Sequence, residues 1–455
     1  MFSIIDIVGV AFLVGIVSTF FLTFQRKSLA IIIKTLPRDL KLIWMFLRLN
    51  YNFIYHLQIN STLAKLFRIT AKTYPNKIAF HFEDEDWSFE RVDILSSKVG
   101  QYFKNLGYKR GDSIAILMDS RPEFVCVVLG LAKIGVTAAL INVNVVSKDA
   151  LAHAIRSGNS NSLLYGSRFR EVVENLQSVM PELKMFQFND QPAEILPEAS
   201  DICSKLEEIT DYSLDVDIDA GNTSEIIFFI YTSGTTGLPK ASIIRNTRYI
   251  LGFLTFKLGN FWKDCEKFQC TVSQYIGEMA RYVLAAHRKS KEKPTYTLPK
   301  MFGNGMKPET WKKFIKTFKV GQIFELYGST EGNFGLFNLD NTVGSIGYIP
   351  LLFDMFAPVL LVKCHPSGEP IKNNQGFCQP CAYNEPGLLL CQVSKIFLLT
   401  KFDGYTDKKA SEKKLMEGVL RKGDQYFNSG DVMMRDENGY FYFLDRTGDT
   451  FRHCR

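Results

Sequence analysis

The chain is poor in paired cysteines and histidines. Cys378 and Cys381 therefore stand as a lone CxxC among nine scattered cysteines, a pattern that favours buried thiols over zinc or redox chemistry. There is also no cleavable signal ending in small residues, which speaks against a disulfide framework and for a reducing compartment. No repeat or low-complexity tract interrupts the sequence. Net charge is scarce as well. The net charge is only +7, and its basic excess lies near the N-terminus, not interleaved with aromatics, so nucleic acid is not an expected partner. What the chain does have is 46% hydrophobic residues over a length of 455, enough to bury the cores of two or three domains.

Ile7 to Phe24 contains no charged residue. Eighteen helical residues at 1.5 Å each would span about 27 Å, close to a hydrocarbon core, so one membrane-spanning helix is predicted, with a buried core helix as the alternative. Arg26, Lys27, Lys34, Arg38, Lys41 and Arg48 follow, against the single acid Asp39, and the positive-inside rule puts the rest of the protein in the cytosol. From Leu40 to Leu57, the apolar positions Leu40, Ile43, Leu47, Ile54 and Leu57 recur at helical spacing, with Trp44, Tyr51 and Tyr55 as candidates for the headgroup layer. This pattern reads as an in-plane membrane helix or a packed one. Residues 1–58 form the expected anchoring segment. The sequons at Asn60 and Asn222 would then never meet the glycosylation machinery and serve as a test of topology.

Beyond Asn60, short apolar segments alternate with helical ones. Ser113 to Met118 reads as a buried strand, and Glu123 to Ile134 reads as the helix after it. Thr137 to Ile141, Ser162 to Tyr165, Ile226 to Tyr231 and Ile323 to Tyr327 read as further strands of a largely parallel sheet, in which ligands bind beyond the strand carboxyl ends. Pro358 to Cys364 and Tyr440 to Leu444 suggest a smaller, more antiparallel β portion.

The most informative stretch follows Ile226 to Ile230 and consists of Tyr231, Thr232, Ser233, Gly234, Thr235, Thr236, Gly237, Leu238, Pro239 and Lys240. Its glycines allow close backbone approach, and its hydroxyls and lysine are donors for phosphate oxygens. The Walker A spacing is absent, because no Ser or Thr follows Lys240. Downstream, Glu325 to Glu331 is a second strand-to-loop transition ending in Thr330 and Glu331, where a carboxylate suits magnesium together with substrate phosphates. Tyr426 to Asp431 places a carboxylate where it could accept both ribose hydroxyls. Asp445 to Asp449 offers Arg446 as a fixed cation for ribose or phosphate. Read alone, each of these last two reads first as a solvated surface turn.

Together and in this order, the four elements resemble the adenylate-forming, AMP-binding superfamily. Within it, the chain is similar to the fatty acid transport protein and very long-chain acyl-CoA synthetase family. That similarity is carried by Arg121-Pro122-Glu123-Phe124, Leu131 to Asn142, Gln274-Tyr275-Ile276-Gly277-Glu278, Phe402-Asp403-Gly404-Tyr405 and Thr447-Gly448-Asp449-Thr450-Phe451-Arg452. The resemblance implies an α/β fold, the large N-terminal domain of adenylate-forming enzymes, with mixed, largely parallel sheets flanked by helices, over about residues 59–452 and preceded by the transmembrane helix.

The resemblance also implies site residues and partners. Thr232 to Lys240 would hold the ATP phosphates, Thr330 would serve phosphate, and Glu331 would hold magnesium. Gly303, Asn304 and Gly305 would lie against adenine, Tyr327 would stack on or flank that ring, Asp431 would hold the ribose, and Arg446 would hold ribose or an α-phosphate oxygen. The implied substrates are a long-chain or very long-chain fatty acid, ATP and coenzyme A. The implied location is a membrane, the endoplasmic reticulum first, with plasma membrane or peroxisome as alternatives.

Two departures from the family pattern are expected to matter. The interval near 250–259 is short, so a stretch that includes the family's aromatic-histidine segment is missing. After Arg452 the resemblance stops at a divergent tail, 453–455, where the family continues into a small C-terminal lid domain carrying its adenylation lysine. The alternative function is accordingly a noncatalytic nucleotide-binding or lipid-handling membrane protein that associates with full-length relatives. A ligase for aromatic or amino acids is a weaker third option.

Overall fold

The computed structural model describes residues 29–144, 147–191, 193–232, 238–248, 262–290, 296–393 and 402–447. The apolar run Ile7 to Phe24, the loop residues Ser233 to Gly237, the short interval near 250–259 and the tail 453–455 lie outside the described residues. Among the described residues, no helix is long and apolar enough to cross a membrane. The chain divides into two units that do not follow sequence order. The first comprises Tyr51–Thr255 and Asp403–Ser411; the second comprises Met1–Asn50, Phe256–Phe402 and Glu412–Arg455.

The first unit holds a small hairpin of β1 (Ile78–Phe82) and β2 (Glu85–Ser88) and one larger sheet. The sheet is built from β3 (Ser113–Leu117), β4 (Thr137–Leu140), β5 (Ser162–Gly166), β6 (Lys184–Phe188), β7 (Ala199–Asp201), β8 (Ile226–Thr232) and β9 (Lys240–Arg245), in the order β7-β6-β5-β3-β4-β8-β9. Every pairing is parallel except β8 with β9. The period of two along β3 divides its residues between two cores, Ile114 and Ile116 on one side and Ala115 and Leu117 on the other. A strand buried on both faces reads as a continuous apolar run, and that is how it reads here. The expected helix after it spans Pro122–Lys133, with proline at its start, where the missing N–H costs nothing. Lys133 of this helix is fully buried, and its ammonium is satisfied by Asp93, Ser96 and Ser97.

The second unit holds two further sheets. In one, β10 (Val272–Ile276), β11 (Lys300–Asn304) and β12 (Gln322–Tyr327) run parallel, and β13 (Leu336–Asn338) joins antiparallel. The other is antiparallel and contains β14 (Gly347–Tyr348), β15 (Val359–Val362), β16 (Gly387–Gln392), β17 (Leu415–Glu417), β18 (Gln425–Arg435) and β19 (Tyr440–Arg446). The expected antiparallel portion is therefore this sheet, and it covers more of the chain than the two strands read from sequence. The amphipathic stretch expected over 40–57 is part of a longer helix, Leu29–Gln58. No disulfide is present among the described residues, and Cys378 and Cys381 are free thiols whose pKa values burial raises.

Candidate functional site

In the first unit, β8 and β9 pair antiparallel, and Thr232 and Lys240 are the pair at the end beside residues 233–239. The described flanks of that loop are held in place. The Tyr231 hydroxyl donates to the Ala154 carbonyl at 2.6 Å, and burial pushes that phenol up, which keeps it a donor. His153 Nε2 lies 3.2 Å from the Pro239 carbonyl, and the Lys240 ammonium sits 5.8 Å above the Tyr405 ring. Leu238 is exposed. The Asp403-Gly404-Tyr405 segment backs β9. Ile243 N–H donates to the Gly404 carbonyl at 3.1 Å, Thr406 N–H donates to the Ala241 carbonyl at 3.0 Å, and Arg245 pairs with Asp403 at 3.0 Å. His153 and Tyr405 were not among the expected site residues. Tyr405 lay in a stretch quoted for its resemblance, but nothing in the sequence linked it to Lys240.

In the second unit, three expected residues come together. Asp431 accepts the Tyr327 hydroxyl at 2.5 Å on one carboxylate oxygen and Arg446 Nε at 2.8 Å on the other. The alternative that Asp431 lies in a solvated turn does not hold. It sits inside β18 with its side chain fully buried, opposite Arg446 in the β18–β19 register, and its own N–H donates to Ser429 Oγ at 3.0 Å. Burial and the neighbouring carboxylate raise the Tyr327 phenol far above its ordinary value, so it stays protonated and donates. Arg446, at the end of β19, is half exposed. Each carboxylate oxygen of Asp431 keeps one acceptor position beyond the bonds just described. The carboxylate is fully covered in this conformation.

A second cluster surrounds the expected adenine segment. Gly303 and Asn304 end β11, and Gly305 follows with a φ of +77°, in the left-handed region where glycine is favoured. A Cβ at Gly303 would fall 2.0 Å from the Tyr275 carbonyl oxygen, so only glycine fits there. Below this segment lies Glu325, which accepts hydrogen bonds from the N–H groups of Gly305 and Met306 and from the Tyr275 hydroxyl. Burial pushes the Glu325 carboxyl up to about 7 despite those three donors. Glu325 and Tyr275 were missed as site residues. The available signal was strand alternation, since the period of β12 buries Ile323 and Glu325 together and an acid at an inward position needs partners.

Thr330 and Glu331 lie in the loop after β12, half-buried, and neither carries a hydrogen-bond or ion-pair partner among the described residues. No group of three or more His, Cys, Asp or Glu side chains that could cage a metal occurs among the described residues. The residues fit a magnesium ion that takes one or two carboxylates and completes its shell with phosphate and water, as that ion commonly does.

Residues 67–260 match the family described as AMP-binding enzyme. Two solved structures share the fold. The anthranilate CoA ligase AuaEII in complex with anthranoyl-AMP superposes with a TM-score of 0.62 at 17% identity, over 86% of this chain and 78% of that one. The inhibitor-bound N-terminal domain of FACL13 from Mycobacterium tuberculosis also gives a TM-score of 0.62 at 17% identity, over 85% of this chain and 99% of that one. The fold is thus the α/β N-terminal domain of the adenylate-forming enzymes, with mixed sheets. Among curated proteins, long-chain fatty acid transport protein 1 of Rattus norvegicus is 35% identical over 475 residues, covering 94% of this chain and 73% of the relative. Long-chain fatty acid transport protein 2 of the same species is 32% identical, over 86% of this chain and 70% of the relative. The chain belongs to the long-chain fatty acid transport protein family.

Proposed function

We propose that this chain activates long-chain or very long-chain fatty acids with ATP, forming an acyl-adenylate and then acyl-CoA. The observation that carries the reading is the Tyr327, Asp431 and Arg446 cluster, in which the fully buried Asp431 carboxylate bonds two other residues that the same family resemblance assigns to the nucleotide, Tyr327 at 2.5 Å and Arg446 at 2.8 Å. In this proposal, Tyr231, Thr232, the loop 233–237, Leu238, Pro239 and Lys240 hold the phosphates, and the backing of β9 by Asp403 to Tyr405 fixes the strand from which Lys240 projects. Gly303, Asn304 and Gly305 face adenine, supported from below by Glu325. Asp431 takes the ribose, with Arg446 released to ribose or an α-phosphate oxygen. Thr330 contacts phosphate, and Glu331 holds magnesium, which when bound spreads the phosphate charge.

In the first step the fatty carboxylate oxygen attacks the α-phosphorus and pyrophosphate leaves. In the second, the coenzyme A thiolate attacks the acyl carbonyl carbon and AMP leaves. The protein's contribution is positioning together with fixed cations and N–H donors aimed at the developing charge. We also propose a membrane location with Ile7 to Phe24 as the anchor, and a shortened interval near 250–259. The second point rests on the sequence pattern around residues 250–259; the alignment with the rat relative, longer than the part of this chain it uses, shows only that gaps lie somewhere in this chain.

The test is acyl-CoA formation by the purified full chain from a long-chain fatty acid, magnesium-ATP and coenzyme A. Product that disappears in Lys240→Ala supports the reading. ATP binding without adenylate or thioester, with any of the acids offered, would instead support the noncatalytic nucleotide-binding alternative.

A further inference from the structure

The Leu29–Gln58 helix has two unlike faces. One is docked on the second unit. Ile32, Thr35, Asp39 and Ile43 are buried, Asp39 accepts the Leu351 N–H at 2.8 Å, and Arg38 donates to the Asn438 carbonyl at 2.7 Å. The Arg38 guanidinium also lies 4.2 Å from the Tyr348 ring centre and 4.4 Å from that of Tyr440. A second face is open. Ile33, Leu40, Trp44, Leu47, Tyr51 and Ile54 are exposed in steps of three, four and seven, with Trp44 at 62% and Tyr51 at 73%. This stripe runs about 32 Å along the axis at 1.5 Å per residue.

The charges beside the stripe are all of one sign. Lys34, Lys41 and Arg48 are exposed, while Asp39, the helix's only acid, is 1% exposed and committed to Arg38. Arg48 lies 5.5 Å over the Trp44 ring. A contiguous apolar stripe of this length on a soluble surface marks an interaction site.

We propose that this face lies in the headgroup layer of an anionic bilayer, with the helix axis in the membrane plane. Three observations select this occupant. The helix is not apolar enough to span, so the stripe can be only partly immersed. The cations match anionic lipid, and a symmetric contact with a second copy would set Lys34, Lys41 and Arg48 against like charges. Trp44, Tyr51 and Tyr55 are the residue types that settle at headgroup depth. The Arg38 and Asp39 contacts then fix the second unit's orientation to the surface. This inference stands on the helix itself and is independent of the activation chemistry.

The experiment uses the full chain reconstituted in phosphatidylcholine vesicles, with or without phosphatidylserine, whose lipids carry bromine near the carboxyl end of the acyl chains. The sequence has tryptophan only at positions 44, 87, 262 and 311, so the Ile7 to Phe24 run contributes no signal. Quenching is expected in phosphatidylserine vesicles and should fall at least twofold in Trp44→Phe. The triple variant K34E/K41E/R48E should quench no more with phosphatidylserine than without it. Equal quenching in Trp44→Phe and the parent chain would overturn the proposal. So would absence of quenching together with a dimer that Leu40→Ser/Leu47→Ser disperses, which would assign the face to a second copy.

Discussion

Replacing Glu325 by glutamine should change how stability depends on pH. The carboxyl is 3% exposed and holds its proton to about pH 7, whereas in the unfolded chain it ionises near its ordinary 4.5. A raised folded-state pKa stabilises fully below the unfolded value, and the contribution is lost as pH rises through the folded one. With these values the loss between pH 5 and pH 8 is about 2.5 kcal/mol, at 1.36 kcal/mol for each pKa unit. Glutamine cannot ionise, yet it keeps an oxygen for the Gly305 and Met306 N–H groups, and the Tyr275 hydroxyl can turn towards the Phe324 carbonyl, 3.5 Å away. Glu325→Gln should therefore gain about 2.5 kcal/mol relative to the parent chain on going from pH 5 to pH 8, whatever its offset at pH 5. Urea unfolding followed through Trp311, which shares a core with Tyr275, measures this difference. Parallel pH responses would refute the reasoning and mean that the three donors outweigh burial, leaving Glu325 ionised throughout.

Three other outcomes are expected. Lys240→Ala and Asp431→Ala should each weaken ATP binding by about 1.5 to 3 kcal/mol through loss of a charge-assisted contact, and unchanged affinity in both by calorimetry would sink the site assignment. Arg38→Ala leaves the Asp39 carboxylate buried without its cation and should cost about 3 kcal/mol or more, whereas exposed Lys41→Ala should change little; similar unfolding midpoints for the two would disprove the docking role of Arg38. Lys133→Ala should destabilise by about 2 to 4 kcal/mol, but Lys133→Met, which refills the volume with Asp93 partly solvated, should cost less; equal losses would show that charge and not packing is what Lys133 supplies.

How much of this was legible in the sequence depended on whether the signal was local. β3, β4, β5, β8 and β12 could be read because each is a short apolar run closed by polar or glycine residues, and their parallel pairing followed from the helices between them. The helix at Leu29–Gln58 was half visible. Its apolar period starts clearly at Leu40, but the Arg38 and Asp39 pair that docks it is bonded to residues more than 300 positions away. Ile43 looked equivalent to Leu40 and Leu47, yet it faces the second unit while they are exposed. Periodicity finds that a helix is amphipathic; it does not say which of two apolar edges meets protein.

The cluster of Tyr327, Asp431 and Arg446 shows the same limit in sharper form. Asp431 and Arg446 were each recognisable as residue types suited to ribose or phosphate, but their strand register makes them partners first. A residue list predicts affinity for ligand; the geometry adds that Asp431 already spends two of its acceptor positions within the protein. Under the proposed function, nucleoside binding would exchange bonds for bonds, so its net contribution would be smaller than the gross strength of a charged hydrogen bond. Arg446, half exposed, is the member that can move without opening a cavity, whereas Tyr327 is packed against the core that contains Phe427 and Phe441. The side chain expected to reorient first is accordingly Arg446, and the buried Tyr327 hydroxyl keeps Asp431 in place while it does so.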